Sequence, residues 1–77
     1  MKYKALDVVV LDGDLPDRGL RRGDLGAVVQ VYESDAVEVE FVTAAGKTQA
    51  LDTLEIRDVR SVAEGDLIAV RSLRKSS

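Results

Sequence analysis

One phrase occurs twice in this chain: Arg22-Gly23-Asp24-Leu25-Gly26-Ala27-Val28 and, forty-two positions on, Glu64-Gly65-Asp66-Leu67-Ile68-Ala69-Val70. In each, a Gly-Asp pair runs directly into apolar residues. Glycine allows a tight turn, the Asp side chain can accept hydrogen bonds from nearby amides, and β-branched residues favour the extended backbone that follows. Two such phrases in a chain of 77 residues demand short strands and sharp turns. No stretch shows helical periodicity over three turns. The expected product is one small, curled β-structure.

Along the chain, Asp7 to Leu11 is a short continuous apolar run, as in a strand buried on both faces. Asp12 to Gly23 is a long loop that holds the only proline, Pro16. Gly26 to Tyr32 is β-branched and reads as a strand. After a polar connection from Glu33 to Ala36, Val37-Glu38-Val39-Glu40-Phe41 alternates, with the apolar residues inward and the glutamates toward water. Ala44 to Lys47 makes a hairpin turn in which Gly46 adopts positive φ. Thr48 to Leu54 returns antiparallel, and a one-residue slip there would exchange Ala50 with Leu51 at the core. Glu55 to Asp58 is a single 3₁₀ turn and Val59 to Val62 a short closing strand. The second Gly-Asp phrase then leads to a strand from Leu67 to Arg71, with a short helix as the competing reading. This order predicts an all-β, SH3-like barrel of about five strands with a short C-terminal extension. One domain spans 1–71 and a frayed tail 72–77. The expected core is Val8, Val10, Leu25, Val29, Val31, Val37, Val39, Phe41, Leu51, Leu54, Ile56 and Val59.

The chain has no cysteine and no histidine. That removes disulfides, thiolate nucleophiles, imidazole bases and His/Cys metal sites. The longest apolar run is far shorter than a signal or membrane segment, so a cytoplasmic location is expected. A net charge of −3 disfavours general nucleic-acid binding, which needs a basic face to displace counterions. Charge is partly segregated: Arg18, Arg21 and Arg22 lie early, Glu33, Asp35, Glu38 and Glu40 in the middle, and Arg71, Arg74 and Lys75 at the end.

The succession Asp7 to Leu11, Asp14-Leu15-Pro16, Gly19-Leu20, Gly23 to Val29, Val31-Tyr32, Val37 to Phe41 and Asp58-Val59-Arg60 resembles a family of small bacterial proteins. That family is common in cyanobacteria and classed as a domain of unknown function with an SH3-like barrel. The resemblance covers roughly residues 5 to 62. Its pattern is D-L-P-x-x-G-L-x-x-G-D-x-G-T-V-V, and Ala27 stands where threonine is usual. It implies the barrel and supplies no catalytic or binding residues.

Gly23-Asp24-Leu25-Gly26 also looks like the start of a KOW-type segment, but no aromatic platform accompanies it for stacking bases. Tyr3, Tyr32 and Phe41 are too few for a polyproline groove or a methyl-cation cage. Asp12, Asp14 and Asp17 lack the ligand spacing of a calcium loop. Glu38 and Glu40 sit on a wet face unsuited to acid–base work, and no serine has a base beside it. The reading is therefore a non-enzymatic interaction module with no catalytic residues, metal or cofactor. It docks on a partner protein or on itself, away from membranes, through Arg18, Arg21, Arg22, Glu38 and Glu40. The alternatives are a KOW-type nucleic-acid-binding module and an accessory subunit of an enzyme.

Overall fold

The computed structural model describes residues 2–33 and 35–73. Five strands appear among them: β1 (Val8–Leu11), β2 (Leu25–Tyr32), β3 (Ala36–Val42), β4 (Thr48–Glu55) and β5 (Val59–Ser61). All ladders are antiparallel, and the strands lie in the order β4-β3-β2-β1-β5. The fold is all-β, a small barrel-like sheet. Its two outer strands, β4 and β5, are joined through a 3₁₀ turn at Ile56–Asp58. A second 3₁₀ turn, Pro16–Arg18, lies in the long loop, closed by a left-handed Gly19. No helix among the described residues is long and apolar enough to cross a membrane.

Strand β3 behaves as its alternation requires. Val37, Val39 and Phe41 are buried, while Glu38 and Glu40 are half-buried on the opposite face. The β3–β4 hairpin turns at Gly46, whose φ is +81°. Strand β4 pairs Phe41 with Ala50, Val39 with Asp52 and Val37 with Leu54. This register puts Ala50, Asp52 and Leu54 inside and leaves Leu51 53% exposed, correcting the expectation that Leu51 belongs to the core. The small Ala50 side chain lies opposite the bulky Phe41 ring.

Three other expected core residues are exposed: Val8, Leu25 and Val29. In β1 a run of four apolar residues carries no alternation, and Val9, Val10 and Leu11 take the buried positions. In β2 a register shift between Val28 and Gln30 interrupts the ladder to β3. Such a bulge changes the facing of the residue it accommodates. Val28 is therefore fully buried and Val29 is not. Tyr3 and Leu20 complete the core from outside the main strands. Leu20 enters from the long loop, where Leu15 and Leu20 form an isolated bridge.

Gly26 sets the curl of the sheet. A Cβ there would stand 2.5 Å from Val39 Cγ1 and 2.9 Å from Phe41 Cε1, so β2 crosses β3 more closely than any side chain permits. Beyond β5, residues 62–73 adopt neither the expected strand at Leu67 to Arg71 nor a helix. They form an irregular strap that lines a groove together with residues of β1, β2 and β3. The remaining tail, 74–77, lies outside the described residues.

Candidate functional site

Two ion-paired clamps hold the strap, and both use the repeated phrase. In the first, Asp24 Oδ2 accepts from the Arg21 amide at 2.9 Å, while the Asp24 amide donates to the Arg21 carbonyl at 3.0 Å. In the second, Asp66 Oδ2 accepts from the Ala63 amide at 2.7 Å, and the Asp66 amide donates to the Ala63 carbonyl at 3.0 Å. Each carboxylate then receives a two-pronged guanidinium. Arg71 donates from Nε at 2.8 Å and from Nη2 at 2.5 Å to Asp24. Arg60 donates from Nη1 at 2.8 Å and from Nη2 at 3.0 Å to Asp66. Arg71 Nη2 also donates to the Gly19 carbonyl at 2.9 Å, which ties the strap to the long loop. Two parallel N–H···O bonds fix orientation as well as charge.

These bonds lower the pKa of both carboxyls. The Arg71 guanidinium beside Asp24 holds its carboxyl below the ordinary range, against the opposing effect of burial. The Arg60 guanidinium, helped by the Ala63 amide, holds Asp66 down to about 2.

Between the strap and the sheet lies a groove of about 500 Å³. Its floor includes Val10, Leu25, Phe41 and Val42, and its far wall runs from Leu67 to Arg71. Four ionisable residues line it, Asp24, Arg60, Asp66 and Arg71, and they neutralise one another in the two pairs just described. The surface is therefore apolar and internally charge-balanced. The strap's own apolar side chains are exposed: Leu67 is 93% exposed, Ile68 68% and Val70 98%.

The structure places the sequence-predicted contact residues elsewhere. Arg18 Nε pairs with Asp52 Oδ1 at 3.0 Å, and Arg22 Nη2 with Asp12 Oδ1 at 3.2 Å. The Arg22 amide donates to Asp14 Oδ1. Arg21 borders a second depression, of about 370 Å³, with Asp14, Pro16 and Arg71. Glu38 accepts from the Tyr32 hydroxyl at 2.9 Å, which raises the pKa of that hydroxyl. Glu40 accepts from the Thr48 hydroxyl at 2.6 Å. Arg18 reaches a carboxylate on the core side of β4, whereas Glu38 and Glu40 lie on the other side of β3. Arg18 and the two glutamates are thus engaged on opposite sides of the sheet. Asp12, Asp14 and Asp17 do not converge, and no group of three or more potential metal ligands occurs among the described residues.

Arg60 and Asp66 were not expected at a site, and Arg71 only as part of the basic tail that the nucleic-acid alternative would use. The available signal was the second Gly-Asp phrase, whose Asp repeats the turn chemistry of the first. The Arg71–Asp24 pair spans 47 positions and leaves no local pattern.

A family model described as a domain of unknown function, DUF4926, matches residues 5–61. No curated protein and no solved structure gives a match.

Proposed function

This chain belongs to the DUF4926 family, and from that premise we propose that it is a non-enzymatic protein-interaction module. Its docking surface is the groove under the strap. The observation that carries this reading is the combination of an apolar groove of about 500 Å³ with strap side chains exposed by up to 98%. Contiguous exposed apolar surface of this kind is characteristic of contact sites. A charge-balanced lining favours a neutral, apolar contact, because a charged one would lose water without gaining a partner. The cytoplasmic setting expected from the sequence belongs to the same proposal. The nucleic-acid alternative has less support: Arg18 and Arg22 already face Asp52 and Asp12. An enzyme to which this chain is accessory would be one kind of partner.

The test is photo-crosslinking in living cells with a photoreactive residue at Leu67 or Val42, and at Asp17 for comparison. The groove positions should yield discrete protein adducts that Asp17 does not. Equal labelling at all three positions, or no adduct from the groove, would overturn the reading.

A further inference from the structure

We infer that the occupant of the groove is a second copy of this chain. The Leu67–Val70 segments of two copies pair antiparallel about a two-fold axis, and each inserts apolar side chains into the other's groove. The inference rests on the groove being a docking surface, as proposed above.

Three observations lead to it. First, Leu67, Ile68, Ala69 and Val70 make no backbone hydrogen bond among the described residues. Their composition suits a strand, and their unmatched N–H and C=O groups can be met by another extended segment. Second, the groove and the exposed side chains belong to one face of one molecule, with Leu67 to Val70 forming the groove's wall. An isologous contact needs that arrangement, because a two-fold axis brings each patch onto the other's complement. Third, apart from Asp66 and Arg71, which are neutralised within the chain, the sequence is acidic before the apolar residues, at Glu64, and basic after them, at Arg74 and Lys75. Antiparallel pairing sets opposite charges across from each other, while parallel pairing sets like charges together. The two arginine–carboxylate clamps flank the segment and hold it in advance, which reduces the ordering cost of association.

The experiment is sedimentation velocity on the full chain over a concentration series from about 1 to about 500 µM. It compares the parent with Leu67→Lys, Val70→Lys and the control Leu6→Lys, which alters a leucine that is 83% exposed elsewhere. The parent and the control should dimerise, and either strap substitution should weaken the dimer at least tenfold. Circular dichroism should report the same fold for all four proteins. Because the chain contains no cysteine, an Ala69→Cys variant offers a second readout: it should form an intermolecular disulfide under mild oxidation, and Leu6→Cys should not. A parent that stays monomeric throughout, or a dimer indifferent to both strap substitutions, overturns the inference. If the parent is monomeric while crosslinkers at Leu67 capture a different protein, the second copy is excluded and the docking surface stands. If they capture nothing, both readings fall.

Discussion

The two Gly-Asp turns share their local chemistry and differ in almost everything around it. Both use an Asp carboxylate to hold an amide three residues back, and both offer that carboxylate to an arginine. At the first turn Gly23 has φ +98°, a conformation open to glycine and costly for other residues. At the second, Gly65 lies outside the left-handed region, with open space where a Cβ would project. The first leads into β2, flanked by β1 and β3. The second leads into a strap that no strand receives. Its arginine comes from β5, six positions away, whereas the first turn's arginine comes from the strap itself. A short phrase thus determines a turn, while the next segment's structure depends on whether a strand edge is there to meet it.

The largest effect should follow from removing the carboxylate that serves both the first turn and the strap. Asp24→Ala loses an amide contact and two guanidinium bonds, and should lower stability by about 2 kcal/mol, read by chemical denaturation. A loss equal to that of an exposed surface substitution would show that Arg71 contributes no anchoring. Next, Gly23→Ala should cost about 1 kcal/mol, because the new side chain must adopt a left-handed backbone. Gly65→Ala should have the opposite sign, a gain of about 0.5 kcal/mol, since only the unfolded chain loses freedom. Equal costs at the two glycines would break the distinction between the turns.

The smallest effect is a titration. A carboxyl whose folded pKa is lowered stabilises the fold fully above its unfolded pKa of about 4. That contribution fades as pH falls toward the folded value. For Asp66 the native-state midpoint should therefore lie at about 2, measured by carboxyl carbon shifts in NMR. Arg60→Ala should move it up toward the ordinary value. A midpoint near 4 in the parent would mean that the second clamp does not persist in solution.

The strands and turns could be read from the sequence because their signals are local. Alternation sets β3, Gly46 sets the hairpin, and Ile56–Asp58 is the expected 3₁₀ turn. Facing was harder. Val8, Val29 and Leu51 are as apolar as the residues that displaced them from the core, and the choice was made by the β2 bulge and by the match of Ala50 to Phe41. Asp52 was invisible for the opposite reason: a charged residue argues for the surface, yet it is buried. The candidate site was the least readable part. Its clamps join distant residues, and its groove is formed by the one segment that follows no regular pattern.

The buried Asp52 bears on how molecules of this protein meet. It lies on β4, an outer strand of the sheet, with Arg18 on one carboxylate oxygen and the other, Oδ2, buried without a hydrogen-bond partner among the described residues. An inward charge on a rim strand is a deterrent to sheet-to-sheet stacking. A neighbour that lengthened the sheet at that rim would have to accommodate an ion already short of contacts. The inward carboxylate thereby works against open-ended growth of the sheet along its β4 rim.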